Sequence, residues 1–343
     1  MALCVLPFGL TNDGQEAHLY QLSNAAGMTV AVTEVGASVV STRVPNACHE
    51  YLDVALGHTG ARAYERAHAL IGATVGRVAN RTADARFALD GREYLLAANE
   101  HANNNHSGPD MWCGRLWSLA ETGRHHVTFE LRSPDGDQGF PGEVTMRVTY
   151  ELTEDNQLAI RQEATPEART PINVTNHTYW NLDGHASGNV LGHSLSIDAG
   201  HYLPVNDENI PVAGPASVEG TPFDLRKARL LANVVRDLPY GLDHNYCLRT
   251  SDDGPLVHAA HLVGANSGIA LDVFTDAPGL QVYMGGWLDR PFEKDGATYG
   301  QFGGVALETQ HWPDSLHHPD WPSVIYGPER PFSQTAVFAF STC

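Results

Sequence analysis

Polar side chains that interrupt apolar strands are where this sequence could do chemistry. The segment from Pro171 reads PINVTNHTYWNLDG. As one extended strand it turns Ile172, Val174, Asn176, Thr178 and Trp180 one way, and Asn173, Thr175, His177, Tyr179 and Asn181 the other. Every member of the second set can hydrogen-bond, which suits either a solvent-exposed face or a site for a polyhydroxylated ligand such as a sugar. In GGVALETQHWPD, from Gly303, Glu308 lies among apolar residues with no Lys or Arg near it in sequence. Such a carboxylate is either paired across a sheet or functional, because an ion without a partner is costly to bury. Asn80 and Arg81 in GATVGRVANR, His106 in ANEHANNNHSGPDMW and Asp243 in YGLDHNYCL are weaker signals. A Gly-rich turn with an arginine is common, a loop histidine is usually solvated, and a turn aspartate mostly serves its own backbone.

The elements that must position these residues are strands. Glu143 to Leu152 (EVTMRVTYEL) puts Val144, Met146, Val148, Tyr150 and Leu152 on one face, the period of a half-buried strand. Asp90-Gly91 sits between two alternating arms from Arg86 to Leu96, which predicts a type I′ hairpin, a turn whose two central residues need positive φ. Further strands are expected from Met28, Ala37, Val127, Gln157, Ile269 and Leu280, and the N-terminal apolar stretch reads as the first strand. The best helix candidate is DLRKARLLANVVRDL, with Asp224 as its N-cap. Many strands, short polar turns and no dividing linker predict one large all-β unit over residues 1–343.

Composition narrows the partners. Lys+Arg 21 against Asp+Glu 40 gives a formal net charge of −19, with lysine only at positions 227 and 294. A surface this acidic repels phosphate backbones and anionic lipid, so nucleic acid and membranes are poor partners. The five cysteines, at 4, 48, 113, 247 and 343, form no C-x-x-C, and buried free thiols in a reducing cytoplasm are the simplest reading. No G-x-G-x-x-G, Walker, G-x-S-x-G or H-E-x-x-H motif is present. Eighteen histidines, with doublets at His125-His126 and His317-His318, raise a metalloprotein, but doublets on opposite faces of a strand make poor ligand sets.

Six stretches, GRVANR, NNNHSG, VTNHTYWNLDG, GLDHNYCL, LQVYMGGWLD and VALETQHWPDSLHHPDWP, resemble in this order the signatures of the aldose 1-epimerase (galactose mutarotase) family. The resemblance runs from about residue 8 to about residue 341. It implies a large antiparallel β-sandwich, the supersandwich, with the site in an open groove. It implies an isomerase that interconverts the anomers of free hexoses such as galactose and glucose, without metal or cofactor. His177 then falls on the general acid and Glu308 on the general base. Asn80, Arg81, His106, Tyr179, Asp243 and Gln281 fall on the residues that hold the substrate.

We expect His177 to be protonated at rest, with Asp243 favouring that form, and the protein to be a monomer or weak homodimer. Two departures bear on substrate preference. The family's His-Gly-Gly is His106-Ser107-Gly108 here, and a loop of asparagines and a histidine, 100–105, replaces its usual Gly-Pro turn. A branch acting on hexose 6-phosphates ranks second, because Arg81 is the one clear cation for a phosphate. A non-catalytic sugar-binding protein of the same fold is the other alternative, against which the intact Glu308 and His177 stand.

Overall fold

The computed structural model describes residues 3–66, 70–251, 254–291 and 293–342. Among them strands dominate, and every registered strand pair is antiparallel. A nine-stranded sheet runs in the spatial order 118–122, 126–133, 144–152, 157–166, 332–342, 269–275, 257–263, 194–197, 229–230. A six-stranded sheet follows 179–180, 305–310, 279–283, 243–247, 201–202, 216–217. A five-stranded sheet is formed by the N-terminal strands 4–10, 16–23, 29–33, 38–45 and 51–53.

The alternation at 144–152 does what its period predicts: Val144, Met146, Val148, Tyr150 and Leu152 are all 0% exposed, and the residues between them are not fully buried. They share one apolar cluster with Leu22 and Val30 of the five-stranded sheet and with Leu280, Val282, Val305 and Leu307 of the six-stranded one. Trp180 joins the layers by packing on Phe338 and Phe340. Deeper inside, Gln334 donates from Nε2 to the carbonyls of Val174 (3.1 Å) and Thr309 (3.0 Å), tying the nine-stranded sheet to the strands that carry the site.

Strands lie where alternation placed them, including Thr29–Thr33, Ser38–Pro45, His126–Ser133, Gln157–Pro166, Ile269–Thr275 and Gly279–Tyr283. The hairpin pairs Arg86–Leu89 with Arg92–Leu95, and Asp90 (φ 52) and Gly91 (φ 77) take the positive φ that the turn requires.

Three expectations need correction. The helix is only Leu231–Asp237, with Leu230 at the N-cap position and no side-chain cap, because the residues before it are drawn into a turn and a short strand, Arg229–Leu230. Asp224 instead pairs with Arg226 in that turn (2.7 Å). Of the cysteines, Cys113 is buried, whereas Cys4 and Cys48 are exposed and Cys247 is half-buried; Cys343 lies outside the described residues.

Candidate active site

One face of the six-stranded sheet looks into the apolar core; the other builds the site. Directly opposed residues of antiparallel neighbours share a face. Asn245, Gln281 and Glu308 therefore form one row across three strands, and Asp243, Tyr283, Ala306 and Tyr179 form the next. Glu308 is reached by alternation: Val305 and Leu307 point into the core, so Ala306 and Glu308 point away from it. The strand is buried on both faces, so Glu308 is only 2% exposed.

The second wall comes from the segment around Gly72–Thr82 and the loop that follows Leu96. Gly72 (φ 75) approaches so closely that an added Cβ would lie 2.0 Å from the Val39 carbonyl oxygen. Its N–H donates to the His177 carbonyl (2.9 Å), and the His177 N–H donates to the Ala73 carbonyl (2.8 Å). The catalytic candidate is thus clamped by main chain on both sides. Arg77, 0% exposed, anchors the same segment by donating to the carbonyls of Pro141 and Gly142 and to the Ser133 and Thr170 hydroxyls.

The polar segment from Pro171 is neither one strand nor an exposed face. Thr175–Asn176 pairs with Thr74–Val75, and Tyr179–Trp180 pairs with Val305–Ala306 in the six-stranded sheet. Residues 171–182 are buried throughout. The switch of partner at His177 and Thr178 is what turns the imidazole toward Glu308.

Between the walls lies a cavity of about 400 Å³, at the small end of the usual range for ligand pockets. His177, Tyr179, Glu308, Asp243, Arg81, Asn80 and His106 all line it. His177 Nε2 stands 3.5 Å from Glu308 Oε1, and the Tyr179 ring packs on the imidazole at 4.9 Å between centroids. Arg81 is held by Glu100 through Nε (2.6 Å) and Nη2 (3.1 Å), with Asp243 3.8 Å from Nη1. Asn80 (φ 61) accepts the Arg81 N–H at Oδ1 (2.8 Å), and its own N–H donates to His106 Nδ1 (3.1 Å). That bond leaves Nε2 to carry the His106 proton.

Burial dominates the ionisation of the pair. It pushes Glu308 well above the usual carboxylate range, Asp243 adds to the shift and Arg81 opposes it. Burial pushes His177 down to about 4, and Asp243 works only partly against that. The expectation of a protonated His177 at rest is therefore overturned: desolvation of the imidazole outweighs the carboxylate that was to favour the cation. His106 is likewise held well below its ordinary value, by burial first and then by His177 and Arg81. Arg81 moves upward, since Asp243 and Glu100 more than offset its burial.

Seven of the eight expected site residues share this cavity wall; Gln281 does not. It stands behind the wall and donates from Nε2 to Asp243 Oδ1 (2.6 Å), so it orients the aspartate rather than lining the cavity. Asp243 opens the strand Asp243–Cys247 instead of occupying a turn, and its carboxylate serves Gln281, Asn209 (3.3 Å) and Arg81 rather than its own backbone. His106 is half-buried, not solvated. Glu308, which lines the cavity, keeps Oε2 buried with no hydrogen-bond partner within the described residues, as suits a group that receives a ligand.

Sequence reasoning missed Glu100, Asn209, Tyr283, Trp287 and Arg290, all on the cavity wall. Tyr283 and Trp287 lay inside a quoted motif. The others sit in loops whose convergence no periodicity announces. The histidine doublets have other duties: His126 meets Glu121, His317 bonds Asp314 and His318 stacks on Trp321.

A β-sandwich whose one sheet face holds a buried carboxylate against an imidazole, ringed by amide and guanidinium donors, defines a site for acid–base chemistry on a polyhydroxylated molecule. The chain belongs to the aldose 1-epimerase family, whose profile matches residues 18–338. It is 39% identical over 318 residues to the aldose 1-epimerase of Escherichia coli, 91% of each chain, and 37% identical over 334 residues to the human galactose mutarotase, 97% of this chain and 96% of that one. Among solved structures, an aldose epimerase homologue from C. elegans superposes with a TM-score of 0.89 at 29% identity, covering 95% of this chain and 99% of its own. The galactose 1-epimerase of Lactobacillus acidophilus gives 0.84 at 26% identity, over 100% and 99%.

Proposed function

We propose that this protein interconverts the α and β anomers of free hexoses such as D-galactose and D-glucose. The observation that carries the reading is the buried pair Glu308–His177, 3.5 Å apart at the cavity wall. Glu308 removes the proton from the C1 hydroxyl. The bond from C1 to the ring oxygen breaks, its electron pair goes to that oxygen, and His177 supplies the proton there. Rotation about C1–C2 exposes the other aldehyde face; the hydroxyl then adds back, returning its proton to His177, and Glu308 returns the proton to O1. No step consumes a co-reactant.

The ionisation directions suit this cycle. Both groups are driven toward their neutral forms, so the resting pair carries one proton, and moving it from Glu308 to His177 creates base and acid together. Arg81, Asn80, His106, Asp243 and Tyr179 hold the hydroxyls, and Gln281 keeps Asp243 in place. A monomer or weak homodimer belongs to the same reading, since the cavity is lined within one chain. A cytoplasmic setting belongs to the same reading and is supported by the free thiols of Cys4, Cys48, Cys113 and Cys247.

Polarimetry on freshly dissolved α-D-galactose and α-D-glucose tests the proposal. The wild-type protein accelerates the drift to equilibrium well beyond the uncatalysed rate. No acceleration of either sugar would sink it.

A further inference from the structure

We infer that Glu100 is a specificity-determining residue that reserves this site for uncharged sugars and turns away hexoses bearing an anionic group, such as hexuronates. The inference rests on the mutarotase reading and extends it to a residue that neither the mechanism nor the sequence analysis used. Arginine forks recognise carboxylates and phosphates in a side-on, two-bond geometry. In this cavity Glu100 already occupies that geometry on Arg81, at 2.6 Å to Nε and 3.1 Å to Nη2. Nη1 faces Asp243 at 3.8 Å. Arg81 therefore enters the site as a neutralised hydrogen-bond donor rather than as an anion receptor.

The loop from Asn99 to Asn105 is built to present this carboxylate. Asn99 donates from Nδ2 to the Asn105 carbonyl (3.0 Å) and accepts the Asn105 N–H at Oδ1 (2.7 Å). Asn104 donates to the carbonyls of Ala97 (2.7 Å) and Gly108 (3.0 Å). Asn103 reaches across to Glu208 (2.8 Å), in the stretch whose Asn209 bonds Asp243. Side-chain amides thus close the loop on itself and seat Glu100 against Arg81.

The charge around the cavity points the same way. Apart from the Glu308–His177 pair, Glu100, Asp243 and Asp289 line it against Arg81 and Arg290. An incoming anion meets this acidic excess with the Arg81 fork filled, and like charges brought together across a partly desolvated interface are costly. A neutral hexose meets only donors and acceptors.

The test compares D-galacturonate with D-galactose by polarimetry for wild type, Glu100→Gln, Glu100→Ala and Glu121→Gln. The last variant removes one negative charge from an exposed edge strand remote from the cavity. Wild type discriminates strongly against galacturonate. Both Glu100 variants raise the galacturonate-to-galactose ratio of kcat/KM by on the order of tenfold, as one like charge is removed and the Arg81 fork is freed. Glu121→Gln leaves the ratio unchanged.

A ratio within twofold of wild type in both Glu100 variants, or an equal rise in Glu121→Gln, overturns the inference. Dissociation constants of the two sugars, measured by calorimetry on the same four proteins, give the ratio independently of turnover. A protein that fails to accelerate galactose but shows the predicted shift in binding refutes the mutarotase reading while supporting the role of Glu100.

Discussion

Two charged clusters, Glu308–His177 and Lys294–Asp53, are finished differently. Toward the cavity, Glu308 lies 3.5 Å from His177 and keeps one carboxylate oxygen without a partner among the described residues. In the second cluster, Lys294 donates to Asp53 (2.9 Å) and to the carbonyls of Val40 (2.9 Å) and Ala55 (2.7 Å), so all three ammonium hydrogens are used. Asp53 is bonded as well by Ser41 Oγ (2.7 Å) and the Thr42 N–H (3.0 Å), and these partners hold its carboxyl below the usual range despite burial. Glu308, with burial unopposed by any hydrogen bond, moves the opposite way. A saturated ion pair locks a segment in place, whereas an incomplete one is poised to exchange a proton.

The sharpest way to break this contrast is to mutate one member of each cluster. Glu308→Gln removes the base and lowers kcat by roughly 10²–10⁴-fold in polarimetric assays, and His177→Asn behaves similarly. Glu308→Gln costs no stability in thermal or denaturant unfolding, because a carboxylate whose ionisation burial opposes is replaced by a neutral group of the same shape. Lys294→Met does the reverse. It leaves Asp53 buried without its cation, costs roughly 3–5 kcal/mol of folding free energy, and leaves the folded fraction active. Adding Asp53→Asn to that variant restores part of the loss, since the stranded charge is gone.

The pH profile sharpens the comparison with a smaller effect. His177 titrates at about 4 and Glu308 is shifted upward, so the one-proton pair persists between these limits. As pH falls through about 4 a second proton binds and the base is lost; as pH rises through the elevated Glu308 value the shared proton is lost. The acid limb of kcat/KM therefore lies near 4. A limb near 6.5, the ordinary imidazole value, would refute the burial argument.

The smallest effect is expected at Gln281, which touches Asp243 and not the cavity. Gln281→Ala should raise KM by roughly tenfold or less and change kcat little, as expected when binding rather than transition-state contacts is weakened.

Much of this was legible in the chain. Period-2 alternation placed most long strands, since a strand with one face in the core must alternate. It failed at the polar segment from Pro171, where both faces are buried and three short pairings share one stretch. Glu308 stood out as a carboxylate among apolar neighbours, and Asn80, Arg81, His106, Asp243 and Gln281 entered through ordered motifs. Glu100 was invisible because nothing in its own neighbourhood names Arg81, 19 residues away, as its partner. Asn209 and Arg290 were hidden for the same reason.

What the sequence carried by itself was the all-β class, the acidic composition and, through the order of its motifs, the resemblance that points to the proposed acid–base pair. These depend on local period, summed charge and motif order, all of which are properties of the chain. Only the tertiary structure decided the protonation of His177, the supporting place of Gln281 and the capture of Arg81 by Glu100. Each depends on desolvation or on a contact between segments far apart in sequence, and neither exists before the chain has folded.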